Sequence, residues 1–323
     1  MKKKTTSVHL WLKPLLTGLI VALALSAVYL LVHWQSTNSI MDAFHSDTNA
    51  LHDDMNSRVQ GYEEAVANVR QLATNQGISS SDWDSYFRTI NLSRYPGLTS
   101  VSFSQYVTKA QKADYERQHY RIYPVTDKSE YLPVTYLTPS TGRQAFFGYD
   151  TGITQADHYA WITKARDTGL LQRSNAYNFQ ATPSVAPIPL LFVTVPVYHL
   201  NAPQATVDDR RASYAGAILA TFRIEHLIPA LLSGEVPGHG FDDIEIYDST
   251  DPGATVLYNR VGSRSASSYS LSQAFDVNIG NRPMRVKVGR SIVPKDNLIS
   301  QLVLSAILPI SLLAIIIARR GKR

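Results

Sequence analysis

Leu190-Leu191-Phe192-Val193-Thr194-Val195-Pro196-Val197-Tyr198 and, after a polar interval, Ala215-Gly216-Ala217-Ile218-Leu219-Ala220-Thr221-Phe222 are short and almost continuously apolar. Runs of this length between polar segments predict strands buried in a sheet. Upstream, Leu98 to Val107 predicts another strand, because Val101 and Phe103 alternate with Ser100, Ser102 and Ser104. Lys109 to Tyr120 is helical in pattern and rich in charge. Ile122 to Tyr136 alternates aliphatic and aromatic residues with polar ones around Pro124 and Pro133, which predicts a hairpin with an edge strand. Asp157 to Thr168 predicts a helix closed by Gly169. Strands and helices mixed in this way predict an α+β region with a mainly antiparallel sheet.

A boundary is expected near Arg223 to Gly240, where a short helix ending around Leu232 runs into Gly234, Pro237, Gly238 and Gly240. Beyond it, Ile244 to Tyr247, Val256 to Asn259, Tyr269 to Val277 and Met284 to Arg290 predict four short strands of a second, smaller β-rich unit. On the N-terminal side, Ser36 to Asn75 lacks proline, and Met55, Val59, Tyr62, Val66, Val69 and Ala73 fall on one stripe of a helix. Such a stalk stripe either packs on its own domain or pairs two copies as a coiled coil. Ser81 or Asp82 is the candidate N-cap of a short helix carrying Trp83, Tyr86 and Phe87.

Two apolar stretches bracket all of this, Pro14 to Trp34 and Leu298 to Ala318. Each has about the 20 residues that a helix needs to cross a hydrocarbon core. Lys2, Lys3, Lys4 and Lys13 precede the first, and Arg319, Arg320, Lys322 and Arg323 follow the second, so the positive-inside bias puts both termini in the cytoplasm and the residues between on the other side. Ala24, Ser26 and Ala27 allow a competing reading of the first stretch as a cleaved signal peptide, but its apolar run continues through Leu30, Leu31 and Val32, which favours an uncleaved anchor.

The net charge is +5, but the eight basic residues just named lie in the membrane flanks, and the region between is slightly acidic without them. Nucleic-acid binding is therefore rejected. Cysteine is absent, which removes thiol chemistry and any disulfide framework. No Gly-x-Ser-x-Gly, His-Glu-x-x-His, P-loop or Gly-x-Gly-x-x-Gly motif occurs, so no enzyme and no cofactor is expected. His45 and His52, one heptad apart on the stalk, and the acidic Asp242, Asp243 and Glu245 read as solvated surface rather than metal sites.

More specific is an ordered series of short blocks. They are Leu98-Thr99-Ser100-Val101, Tyr115-Glu116-Arg117-Gln118-His119, Glu130-Tyr131-Leu132-Pro133-Val134-Thr135-Tyr136, Gly148-Tyr149-Asp150, Ala165-Arg166-Asp167-Thr168-Gly169 and Val195-Pro196-Val197-Tyr198. Together they resemble the CHASE domain, the extracytoplasmic sensor of histidine kinases and diguanylate cyclases, over roughly residues 78–222. The resemblance implies a long N-terminal helix and two PAS-like antiparallel-sheet subdomains held between two transmembrane helices. The expected divisions are a basic N-terminus over 1–13, a span over 14–34, a stalk over 36–77, a membrane-distal subdomain over 78–225, a membrane-proximal one over 226–297, a second span over 298–318 and a basic tail over 319–323.

In the plant cytokinin receptors of this family the distal subdomain holds the hormone, and the Asp matching Asp150 anchors the ligand's polar edge. The resemblance thus makes Asp150 a candidate ligand-binding residue, with turn capping as its alternative. Arg173 departs from the plant pattern, which has an apolar residue there. Cytokinin is therefore a poor fit, and Arg173 either holds an anionic ligand or makes an ordinary salt bridge. Tyr136, Phe146 and Phe147 either line the cavity or pack the core. The expected function is that of a membrane-anchored, two-pass sensor for a small molecule of unknown identity, with no catalytic output domain in the chain. It would pair through the stalk as a homodimer and signal through a separate membrane kinase or cyclase. The alternatives are an interaction protein without a small ligand and the sensor half of a split or truncated receptor.

Overall fold

A computed structural model describes residues 9–74, 78–90, 92–152, 156–180, 186–233, 240–262 and 269–292. The chain begins with α1 (His9–Thr74) and α2 (Ser80–Thr89), followed by β1 (Leu98–Gln105), β2 (Val107–Thr108) and α3 (Lys112–Gln118). Then come β3 (Glu130–Tyr131), β4 (Val134–Thr138), α4 (Ala156–Thr168), β5 (Gln172–Arg173), β6 (Tyr177–Phe179), β7 (Ile188–Tyr198), α5 (Val207–Ala212), β8 (Tyr214–Arg223) and α6 (Ile224–Leu232). Four strands complete it, β9 (Asp243–Tyr247), β10 (Val256–Arg260), β11 (Tyr269–Ile279) and β12 (Arg282–Ile292). The fold is α+β.

The chain divides into two compact units. The larger comprises residues 48–261 and 273–288, and its centre is a six-stranded sheet in the order β4-β1-β8-β7-β5, with β6 also on β7. The pairings recorded within this sheet are antiparallel. The two apolar runs are β7 and β8, paired at the sheet's centre from Leu190↔Arg223 to Tyr198↔Tyr214. Pro196 is tolerated because the pairing of β5 with β7 stops at Gln172↔Thr194, so no strand among the described residues lies beyond β7 at that point.

Side chains alternate across a strand, so each strand has one set on either face. Leu191, Val193 and Phe222 lie on one face with the α1 residues Val59, Tyr62 and Val66, and with Leu227 and Leu231 of α6. Met55, Val59, Val66 and Val69 are almost fully buried. Burying side chains of this size contributes roughly 1.5–3 kcal/mol each. The stripe on α1 thus packs on its own domain. A homodimer through the stalk would have to use another face.

Three local expectations are corrected. Ile122 to Tyr136 forms no hairpin: β3 pairs with β2 (Val107↔Tyr131), whereas β4 pairs with β1 as an edge strand. The segment around Tyr149 separates the two ends of the expected hairpin, since Tyr123 N donates to Gly148 O on one side of it and Val134 N donates to Tyr149 O on the other. The cap of α2 is Ser79, not Ser81 or Asp82: Asp82 N donates to Ser79 Oγ at 3.2 Å while Ser79 N donates to the Asp82 carboxylate at 2.9 Å. The charged helix starts later than Lys109, because residues 109–111 form a single 3-10 turn before α3.

The second sheet has the order β10-β9-β12-β11. Gly280 and Asn281 join β11 to β12, both at φ 58, the left-handed conformation that a two-residue type I′ hairpin turn demands. Gly280 O accepts from Arg173 N, and Gly280 N donates to Glu63 Oε1 at 2.7 Å. A Cβ at Gly280 would lie 2.6 Å from Arg173 N, so glycine is required here for closeness as well as for φ.

The smaller unit contains the described part of α1 up to Asp47 and the outer ends of β11 and β12. Arg290 binds Asp47 at 2.7 Å and lies over the Phe44 ring. Along α1, Leu16, Leu19, Ile20, Leu23, Val28, Leu30, Leu31 and Trp34 are exposed. No helix among the described residues is long and apolar enough to cross a membrane. The side chains of residues 9–15, 32 and 33 in the first apolar stretch, and the whole of residues 298–318, lie outside those described.

Candidate functional site

The face of the six-stranded sheet turned away from α1 is not filled. It borders a cavity of about 400 Å³, roofed by α4 and the segment 143–151. The floor consists of alternate residues of the strands: Ser100 and Ser102 of β1, Leu219, Thr221 and Arg223 of β8, and Ile188, Leu190 and Phe192 of β7. Val134 and Leu137 of β4 and Tyr177 and Phe179 of β6 extend it. Arg143, Phe146, Tyr149 and Thr151 form part of the cover, and α4 contributes Trp161 and Ile162. The Trp161 and Phe192 rings are nearly parallel, at 13° and 6.2 Å between centroids. The chemistry is that of an apolar, aromatic chamber with hydroxyls along one wall and two guanidinium groups. The volume is within the range of about 300–1,000 Å³ usual for small-molecule sites.

Of the residues singled out from sequence, Phe146 lines this cavity and stands partly exposed at it. Phe147 does not line it, and stacks instead on Tyr120 at 4.7 Å. Tyr136 lies on the opposite face of the sheet, because it pairs with Phe103. There it stacks on Trp83 at 5.6 Å and donates its hydroxyl to Ile78 O at 2.6 Å.

Arg173 pairs with Val193, which puts it on the α1 side of the sheet as well. Its guanidinium is buried and bound to the Asp248 carboxylate, with a further 2.7 Å bond to Asp248 O. Burial pulls its pKa down, and the charge of Asp248 acts against that. Arg173 also borders a shallower polar groove of about 610 Å³ with Lys164, Asn175 and Arg282, but its charge is already matched there.

Asp150 has no exposed surface, although its neighbours Tyr149 and Thr151 both line the cavity. Its Oδ1 accepts from Leu132 N and from Gly152 N, each at 3.0 Å, and Lys128 Nζ lies 2.9 Å from Oδ2. The carboxylate thus ties the turn at 150–152 to the chain before β4, the turn-capping arrangement that its sequence context also allowed. Beside it is a crevice with room for about one water, lined by Tyr106, Glu130, Tyr131 and Tyr214 among others. Tyr106 donates to Glu130 Oε2 at 2.9 Å, and its own pKa is raised, mainly by burial.

The residues that build the cavity floor were not singled out, yet a signal for them exists. Ser100, Ser102 and Thr221 put hydroxyls on one face of β1 and β8, strands with a neighbour on both sides. Polar side chains at alternate positions of interior strands mark a face that is not sealed by hydrophobic packing.

A sheet with one face packed on a long helix and the other open to an aromatic chamber presents a concave, mostly apolar site of the kind that small molecules occupy. The chain belongs to the CHASE domain family, which matches it over residues 76–258. CHASE is an extracytoplasmic sensory domain and not a catalytic one. Among solved structures, the domain of a sensory box/GGDEF family protein from Vibrio parahaemolyticus is similar, with 12% identity and a TM-score of 0.40 over 79% of this chain and 97% of that one. The periplasmic sensory domain of the Campylobacter jejuni chemoreceptor Tlp1 has 12% identity and a TM-score of 0.41 over 80% and 93%. The extracellular domain of the histidine kinase vpHK1S-Z8 has 12% identity and a TM-score of 0.34 over 83% and 99%.

Proposed function

We propose that this protein is a membrane-anchored sensor whose small-molecule ligand occupies the cavity on the hydroxyl-bearing face of the six-stranded sheet. The observation that carries the reading is the cavity of about 400 Å³ whose floor strands also pack, through their other face, on α1. A ligand that alters the sheet acts directly on that helix, and binding shifts whichever packing it favours. In this reading residues 78–225 hold the ligand, residues 226–297 form the membrane-proximal subdomain, and the output is a kinase or cyclase reached through the membrane. Two copies would associate through faces of α1 other than the buried stripe. Asp150 shapes the cavity wall by fixing the turn at 150–152, and Phe146 contacts the ligand.

The exposed leucines of α1 between Leu16 and Leu31 support insertion into a bilayer, where their surface would be removed from water. Together with the second apolar stretch they support a two-pass topology. Because the chain has no cysteine, introduced ones report unambiguously. Asp53→Cys is expected to react with a membrane-impermeant maleimide in intact cells, and Thr5→Cys only after lysis. The reverse pattern would refute the topology. For the ligand, a thermal-shift screen of the full-length protein in detergent against a metabolite library is expected to yield saturable hits. An absence of hits across a broad library would favour an interaction protein without a small ligand.

A further inference from the structure

The charges around the cavity are one-sided. Among the described lining residues are two guanidinium groups, Arg143 and Arg223, and no carboxylate. Both arginines come from the same end of the sheet. Arg223 is the last residue of β8, next to Leu190 of β7, and the residue before it pairs with Leu98 at the start of β1. Strand β4 leaves the sheet at that end, after Thr138 pairs with Val101, and a turn closed by Arg143 N donating to Ser140 O presents Arg143.

Neither guanidinium is fully engaged. Arg223 binds Glu225 through Nη2, but its Nε is buried with no hydrogen-bond partner among the described residues. Arg143 makes one side-chain bond among the described residues, 3.3 Å from Nη1 to Pro139 O, and no ion pair with a described carboxylate. A buried N–H donor without an acceptor carries a desolvation cost that a ligand oxyanion would relieve. Planar guanidinium groups match carboxylate geometry well. Farther from this end, Trp161 and Phe192 offer nearly parallel aromatic faces, and Tyr177 adds a third ring to Phe192. Asp150, the carboxylate that would favour an N–H-rich ligand, is instead taken up by Leu132 N, Gly152 N and Lys128.

We propose that the cavity takes a small aromatic carboxylate, with its anionic end held by Arg143 and Arg223 and its ring against Trp161 and Phe192. This rests on the reading of the cavity as the sensory pocket and adds the charge and shape of the ligand.

Titration calorimetry of the full-length protein in detergent tests it with benzoate, phenylacetate and indole-3-acetate, each compared with its neutral amide. At least one acid is expected to bind saturably, with its amide weaker by about 10-fold or more, the value of one charge-assisted hydrogen bond. Arg143→Gln and Arg223→Gln should each weaken that acid by about 10-fold. Arg88→Gln, whose bond is to Ser85 on α2, should leave it unchanged. Arg143 is the safer variant because it does not belong to a strand. If amides bind as tightly as acids, or if both arginine variants keep full affinity, the ligand class is wrong and the pocket stands. The class is equally refuted if no acid binds at about 10 mM while other library hits are lost in a Thr221→Trp variant that fills the cavity. Acid binding that survives Thr221→Trp would refute the pocket itself.

Discussion

The two faces of the six-stranded sheet are made by the same strands and differ in what they bury. Leu191, Val193 and Phe222 meet the α1 stripe around a space with room for about one water, whereas Leu190, Phe192 and Thr221, each one residue away in sequence, border a chamber of about 400 Å³. A period of two lets one strand serve stability with one set of side chains and recognition with the other. Mutations on the two faces should therefore separate these roles.

The largest effect is expected at the ion pair on the α1 side. Asp248→Ala leaves the buried Arg173 charge without its carboxylate and should cost about 3–5 kcal/mol in denaturant unfolding, much of it recovered when Arg173→Met is added to Asp248→Leu. Wild-type stability in Asp248→Ala would mean that this face is not the structural one. Next, Leu191→Ala opens a void against α1 and should cost about 3 kcal/mol.

A smaller effect is expected from Asp167 on α4, the helix that roofs the cavity. Hydrogen bonds from Arg211 and Arg166 hold its carboxyl at about 2, below the ordinary value. Because the folded-state value is lowered, the stabilisation is complete above the unfolded pKa of about 4 and is lost as pH falls through the folded value. It is worth at most about 1 kcal/mol after solvent screening. Asp167→Asn should flatten that acid limb of the pH–stability curve, and an unchanged limb would show that other carboxylates govern it. The smallest change belongs to the cavity face: Thr221→Val should leave unfolding within about 0.5 kcal/mol of wild type, since its side chain borders open space. A loss comparable to that of Leu191→Ala would abolish the contrast between the faces.

Much of the fold was legible in the sequence because its main elements are long or strongly patterned. The alternation of β1, the long apolar runs of β7 and β8, helix α4 with Gly169 after it, and the helical stripe of α1 all survive folding. The hairpin expected over Ile122 to Tyr136 failed because β3 and β4 are short and their partners lie elsewhere in the chain. Alternation cannot choose a partner.

The site was less legible for a related reason. Tyr136 and Arg173 have suitable chemistry for a pocket, but register with Phe103 and Val193 turns both toward the packed face. Phe146 and Phe147 are adjacent, and only one of them reaches the cavity. By contrast, the serines of β1 were visible as alternation, and they marked the open face without revealing that a chamber lay above it.

If ligands occupy the chamber on the hydroxyl-bearing face, Thr221→Trp, which puts an indole into it, should exclude them. A thermal-shift screen of one metabolite library should be run in parallel on the native full-length protein and on this variant. The variant is expected to keep its unfolding midpoint and to lose the stabilising hits seen with the native protein. The same hits at the same strength in both proteins would contradict this placement of the ligand.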